Sequence, residues 1–150
     1  MKKLILLVST IIIVLITSGC GVKKEATKEE FSNVLSKYNF LVNDYTDISE
    51  DKTIEKLLVA KKNEYAVEFH IYKTEDDAKR AYTGNKKEFK KYKEKNSVES
   101  SKDSNGYQKY SLELSDRYDV VIRNGKTFLY ASINLQYTTE LNKIINDLGY

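Results

Sequence analysis

The chain has 150 residues, which is enough for one domain and hardly enough for two. Apolar residues make up 41% of it and charged residues 31%, an ordinary globular balance. Without the two lysines of the N-terminal leader, 23 basic and 22 acidic side chains remain, so the net charge does not indicate a nucleic-acid partner.

Residues 1–19 have the parts of a secretory signal peptide. Two lysines give a positive start, and the 13 residues 4–16 are apolar apart from one Ser-Thr pair. A spanning helix needs about 20 apolar residues, so this run is short for a permanent anchor. Small residues follow it up to Cys20. We therefore predict that residues 1–19 are cleaved from the mature chain.

The segment Thr17-Ser18-Gly19-Cys20 resembles the lipobox of bacterial lipoproteins, although Thr17 stands where Leu is common. The chain as a whole resembles small surface lipoproteins of Gram-positive bacteria. This resemblance implies a cleaved leader, a diacylglycerol on the Cys20 thiol as the only attached group, and an anchor at the extracytoplasmic face of the cell membrane. Cys20 is the only cysteine, and lipidation accounts for a lone Cys in a secreted chain. The alternative is an uncleaved membrane anchor with a free thiol.

Residues 20–26 are then a lipidated anchor and short linker, and residues 27–150 form a single domain. At roughly 3.3 Å per residue, the six residues from Gly21 to Ala26 span at most about 20 Å, which keeps the domain close to the membrane. Thr27 with Glu30 forms a capping box and predicts the start of a helix that ends near Asn39.

Two strands are predicted next, at 54–61 and 64–73, with alternating apolar side chains. A loop at Lys62-Asn63 would set Ala60 opposite Tyr65. Thr74 caps a second helix, predicted to extend to about Lys95 and weakened in the middle by Gly84-Asn85. The polar residues 96–106 predict a loop.

Three further strands follow. Asn124-Gly125 predicts a two-residue hairpin that sets Val120 opposite Leu129. For the preceding hairpin, a three-residue loop sets Leu112 opposite Val120, whereas a two-residue loop would set Leu112 opposite Asp119. We prefer the three-residue loop because it keeps the apolar faces together. The last helix starts near Thr138, and Gly149 follows its end.

The predicted order is α-ββ-α-βββ-α, an α+β domain. Because the strand runs are joined by tight turns, we expect an antiparallel sheet of about five strands with the helices packed on one face. The resemblance implies a cystatin-like sheet as one architecture of this kind.

Residues suited to catalysis are scarce. His70 is the only histidine and lies on a polar strand face beside Glu68 and Tyr72. No second histidine and no spare cysteine exist to complete a typical zinc set. We therefore predict no metal site and no enzyme. An unfamiliar active site built on Glu68, His70 and Tyr72 remains the alternative, and burial of His70 beside a carboxylate would favour it.

Two surfaces are candidates for binding. The segment 86–95 holds six lysines, and Lys86, Lys87, Lys90 and Lys91 could lie against an anionic surface. The simpler interpretation is a solvated helix face with its aromatic residues buried.

The second candidate is the outer sheet face with Phe128 and Tyr130, which we expect to point away from the core. Charge substitutions there would then leave the fold intact and abolish partner capture. We therefore expect a tethered binding or adaptor module with an envelope protein as partner. The alternatives are small-molecule binding, anionic-surface binding and an enzyme, and the oligomeric state stays open.

Overall fold

A seven-stranded antiparallel sheet and three helices make up the α+β fold in the computed structural model, which describes residues 23–150. The strands are β1 Leu41–Asp44, β2 Ile54–Lys62, β3 Tyr65–Tyr72, β4 Val98–Ser104, β5 Tyr107–Glu113, β6 Arg117–Asn124 and β7 Thr127–Asn134. The helices are α1 Lys28–Lys37, α2 Glu75–Lys91 and α3 Thr138–Asp147. The strand order across the sheet is β1-β2-β3-β7-β6-β5-β4.

The predicted signal peptide and Cys20 lie outside the described residues. Within residues 23–150, no helix is both long enough and apolar enough to cross a membrane.

The helix ends follow the capping signals of the sequence. Thr27 Oγ1 accepts a hydrogen bond of 3.1 Å from the Glu30 N–H, and the Glu30 carboxylate accepts one of 2.8 Å from the Thr27 N–H. Thr74 Oγ1 caps α2 by accepting a hydrogen bond of 3.1 Å from the Asp77 N–H, and that helix continues through Gly84 to end at Lys91. Gly149 follows α3 with φ +81°, the left-handed conformation that commonly ends a helix.

The sheet has seven strands instead of the predicted five, and both additional strands lie at its edges. β4 is exposed at every position, so it carries no apolar alternation that could indicate a strand. β1 has only four residues, and none of them is buried. Edge strands gain their hydrogen bonds from a single neighbour and need no buried face, which is why the periodicity of the sequence missed them.

In two hairpins, the two-residue loop lies one residue further along the chain than predicted. Ala60 lies opposite Val67 instead of Tyr65, and the β6–β7 hairpin is displaced in the same way. In each loop the residue with positive φ comes first, Asn63 with φ 51° and Gly125 with φ 56°. The displacement moves each cross-strand partner by two residues, so every side chain keeps its predicted face.

Both faces of the sheet are covered, which corrects the prediction that all helices pack on one face. On the first face, α1 and α3 pack in a core where the rings of Phe31 and Phe69 stack at 4.8 Å. On the second face, α2 buries Tyr82 and Phe89 against β5, β6 and β7. All residues of β6 from Tyr118 onward are buried, so this strand needs cover on both faces. The cystatin-like arrangement with helices on one face is therefore replaced by three layers.

The β5–β6 hairpin also has the register that we did not prefer. Leu112 lies opposite Asp119, and the Leu114 N–H donates to the Arg117 carbonyl at 2.9 Å, leaving a two-residue loop. This register is stable because the second face is covered by α2, so Leu112 is buried there. Asp119 is 1% exposed and accepts hydrogen bonds from Arg117 Nε at 3.1 Å and Ser132 Oγ at 2.6 Å.

Substitution of Gly125 and of Gly84 by Ala should change the free energy of unfolding in opposite directions. Gly125 has φ 56°, and a Cβ there would collide with the Glu25 carboxylate. We expect Gly125→Ala to lower the free energy of unfolding by about 1–2 kcal/mol. Gly84 lies in α2, where an added Cβ would meet no atom within 4 Å, so Gly84→Ala should raise it by about 0.5–1 kcal/mol. Urea unfolding measures both changes, and equal shifts would contradict this account of the turn.

Candidate functional site

The second face of the sheet is covered only in part. Helix α2 packs over β3, β5, β6 and β7, whereas none of the three helices of residues 23–150 packs on the β1–β2 side of this face. A shallow cavity of about 400 Å³ lies there. We call it the open groove, and its lining residues are Tyr45, Ile48, Ser49, Leu57, Val59, Lys61, Ala66 and Glu68.

The floor of the open groove follows from the pairing of β2 with β3. Val59 lies opposite Glu68 and Lys61 opposite Ala66, so apolar and charged side chains alternate across one face. Ile48 stands at the rim with 73% of its surface exposed. The result is an apolar floor that solvent can reach, bordered by one lysine and one glutamate.

A short 3-10 turn, Thr46–Ile48, forms the wall of the open groove. The Tyr45 N–H donates to the Leu57 carbonyl at 2.8 Å, and the Leu57 N–H donates to Thr46 Oγ1 at 3.0 Å. Hydrogen bonds from the Thr46 side chain and from its N–H, the latter to Asp44 Oδ1 at 2.9 Å, keep the pKa of Asp44 below its usual value. These bonds fix the turn against β2 and thereby position Ile48.

Glu68, His70 and Tyr72 meet where the open groove borders α2. His70 Nε2 lies 3.2 Å from a Glu68 carboxylate oxygen, and its Nδ1 lies 3.5 Å from the Tyr72 hydroxyl. The His70 side chain is 13% exposed and meets the Phe128 ring edge to face at 5.4 Å. Burial raises the pKa of Tyr72 to about 12, which keeps this phenol protonated as a potential donor. The structure thus brings together the three residues of the enzyme alternative, and catalysis by them stays a prediction.

The predicted lysine face lies on α2, and its members differ in their surroundings. Lys91 pairs with Glu88 at 2.7 Å, and Lys90 lies 3.5 Å from the Glu99 carboxylate. The Lys86 ammonium lies 5.1 Å from the centroid of the Tyr110 ring, whereas Lys87 is exposed. Several of these charges therefore already have partners within the domain, and binding of an anionic surface by this face stays a prediction.

The two aromatic residues of the segment 86–95 differ in their exposure. Phe89 is 5% exposed and belongs to the core beneath α2, whereas Tyr92 is 55% exposed. The simpler interpretation, a helix that buries its aromatic stripe, therefore describes Phe89 and not Tyr92.

Phe128 and Tyr130 do not form the open surface that we expected. Phe128 is 2% exposed, and Tyr130 is partly buried with its ring 5.5 Å from that of Phe89. Helix α2 covers both residues. The prediction packed all helices on the other face of the sheet and therefore left these two residues exposed. The open part of this face lies instead over β1 and β2. Ala66 faces this side because it alternates with the buried residues Tyr65 and Val67 of β3, but the contribution of Tyr45 and Ile48 could not be read from the sequence.

Among residues 23–150, no group of three or more His, Cys, Asp or Glu side chains is placed to hold a metal ion. No protein-family model matches the chain, and no curated protein or solved structure shows significant similarity to it.

Proposed function

We propose that the chain is a lipid-anchored protein of the cell envelope whose domain binds an envelope protein on the extracytoplasmic side. The observation that carries the binding role is the open groove, which presents Ile48, Leu57 and Val59 to solvent between Lys61 and Glu68. Accessible apolar patches bordered by polar residues are typical of protein interaction sites. The lipid anchor rests on the motif that ends at Cys20.

The course of the N-terminal segment supports an anchored orientation. Asn124 Nδ2 donates to the carbonyls of Lys23 at 3.1 Å and Lys24 at 2.8 Å, and Ala26 is buried. The chain is thus held to the domain from Lys23 onward. Only three residue steps separate Lys23 from Cys20, a reach of about 10 Å. The end of the sheet with the β6–β7 turn would therefore face the membrane.

The open groove stays accessible in this orientation. The Tyr72 N–H donates to the Lys126 carbonyl at 3.0 Å, which places the end of β3 beside the β6–β7 turn. The groove reaches Lys61 and Ala66, next to the β2–β3 turn at the opposite end of that strand. It also lies on the sheet face opposite α1 and α3. A partner in the envelope could thus reach the groove while the lipid holds the domain.

Site-specific photo-crosslinking in cells tests the binding role. A photoreactive residue at position 61, in the groove, should capture one recurrent envelope protein, and one at the exposed position 143 on α3 should not. Ile48→Asp should abolish the capture without changing the amount of protein, because Ile48 is 73% exposed. Identical products from both positions, or capture that survives Ile48→Asp, would overturn the proposal. The intact mass of the extracted chain tests the lipid separately, since a mass without acyl chains would remove the anchor alone.

A further inference from the structure

Two lysines lie over one buried tyrosine ring at the end of the first sheet face, and a third lysine is the cross-strand partner of one of them. The Lys23 ammonium lies 4.4 Å from the centroid of the Tyr107 ring, and the Lys102 ammonium lies 5.8 Å from the same centroid. Lys109 of β5 lies directly opposite Lys102 of β4 in the sheet. Tyr107 is only 2% exposed, so its ring is a fixed platform for these cations. We call Lys23, Lys102 and Lys109 the lysine cluster.

The ammonium groups of the lysine cluster form no ion pair with an acid among residues 23–150. Within residues 23–150, no carboxylate oxygen lies within 4.0 Å of any of its three ammonium groups. By contrast, Lys24 pairs with Glu30 at 2.6 Å and Lys62 with Glu140 at 2.6 Å. Like charges directly opposite one another in a sheet are unfavourable, so the Lys102–Lys109 pair needs an explanation.

Burial also lowers the pKa of two of these lysines. Desolvation is the larger cause that lowers the pKa of Lys109, and the charges of Lys23 and Lys102 lower it further. The pKa of Lys23 is lowered by burial and then by the charge of Lys102. The N-terminal segment, held by Asn124, brings the third ammonium to a pair that already repels. An anion between these groups would relieve the repulsion.

We propose that the lysine cluster binds a phosphate group, either of an anionic lipid headgroup or of free phosphate. Ammonium groups are point charges that bind phosphate through charge-assisted hydrogen bonds. Three of them on neighbouring segments match an anion with several acceptor oxygens better than a carboxylate with two. The buried Tyr107 ring restricts the Lys23 and Lys102 side chains and so reduces the entropy lost on binding.

The position of the lysine cluster suits a headgroup. Lys23 is three residues from Cys20, and the Gly125 N–H donates to the Gly106 carbonyl at 2.9 Å, which joins the β4–β5 and β6–β7 turns at this end. Helix α2 starts near this end, where Glu75 lies 3.8 Å from Arg123, and extends for about 25 Å. Lys90 and Lys91 at the far end of α2 are therefore distant from the end of the sheet that holds the lysine cluster. The headgroup as source rests on the proposed anchor, whereas the free-phosphate source does not.

The test uses the full chain in a neutral detergent, with its lysines carrying ¹³C-methyl labels that keep the charge. Sodium phosphate is added at constant ionic strength, with sodium acetate as the comparison. In a second arm, the micelles contain increasing fractions of phosphatidylglycerol or of zwitterionic phosphatidylcholine. We expect saturable shifts of the Lys23, Lys102 and Lys109 signals with phosphate or phosphatidylglycerol, and none with acetate or phosphatidylcholine.

Two variants of equal charge provide the control. K23Q/K102Q/K109Q removes the lysine cluster, and K37Q/K79Q/K143Q removes one exposed lysine from each of the three helices, outside the segment 86–95. Each lysine near an anionic surface contributes about fivefold in affinity, so the first variant should bind about 100-fold more weakly. Its binding is followed by the signals of its remaining lysines. The second variant should bind like the unmodified chain.

The outcomes distinguish free phosphate from a lipid headgroup, and they distinguish the phosphate site from the proposed lipid anchor. Saturation by inorganic phosphate without further change in phosphatidylglycerol micelles identifies free phosphate, and saturation by the lipid alone identifies the headgroup. Signals that do not move, that move equally with acetate, or that are weakened equally by both variants would overturn the site. An unlipidated Cys20 would leave the phosphate titration unchanged, because Lys102 and Lys109 belong to β4 and β5 and Asn124 holds the Lys23 backbone to the domain.

Discussion

Replacing Phe128 with Lys is expected to abolish the cooperative fold. Phe128 is 2% exposed, and it lies opposite both Arg123 of β6 and His70 of β3. Truncating a buried Phe costs about 3–5 kcal/mol by itself. The substitution would also bury an ammonium opposite the guanidinium of Arg123, whose side chain is only 8% exposed. Since small domains are stable by only about 5–15 kcal/mol, circular dichroism and urea unfolding should show no native transition.

Phe128→Leu is the control for this substitution. It keeps an apolar side chain of similar volume and should cost less than about 1.5 kcal/mol. Tyr130→Lys, at a partly buried position, should fall between the two. A Phe128→Lys protein that folds and unfolds like the unmodified chain would contradict the packing of α2 on this face. It would instead support the exposed face that the sequence predicts.

Replacing Phe31 with Ala is expected to lower the free energy of unfolding by about 3–5 kcal/mol. Phe31 of α1 has no exposed surface, and its ring stacks on that of Phe69 at 4.8 Å with the planes 12° apart. The substitution leaves a cavity between α1 and the middle of the sheet, and it removes one aromatic pair. Urea or thermal unfolding measures the loss.

A double-mutant cycle with Phe69→Leu isolates the stacking from the cavity. The coupling between the two positions should be about 0.5–1.5 kcal/mol. Lys37→Ala, at an exposed position on the same helix, is the control and should stay within about 0.5 kcal/mol of the unmodified chain. A Phe31→Ala effect no larger than this control would contradict the packing of α1 on the first face.

The candidate surfaces were only partly predictable from the sequence. Glu68, His70 and Tyr72 share a strand face because their spacing of two residues places them there, and the structure confirms that they meet. The lysine cluster was not predictable, because Lys102 lies opposite Lys109 only through a strand that the periodicity missed. Lys23 joins them through the side chain of Asn124, about 100 positions away.

The sequence by itself determined the three helices, the five central strands and the face of most strand residues. These features rest on capping at Thr27 and Thr74 and on periodicities of 3.6 and 2, which act within a few residues. Tertiary structure decided the edge strands, the hairpin loops and the face that each helix covers. The burial of Asp119 shows the reason: a polar residue in a strand is acceptable in the core once Arg117 and Ser132 reach it. Such partners come from separate strands, and only the assembled sheet brings them together.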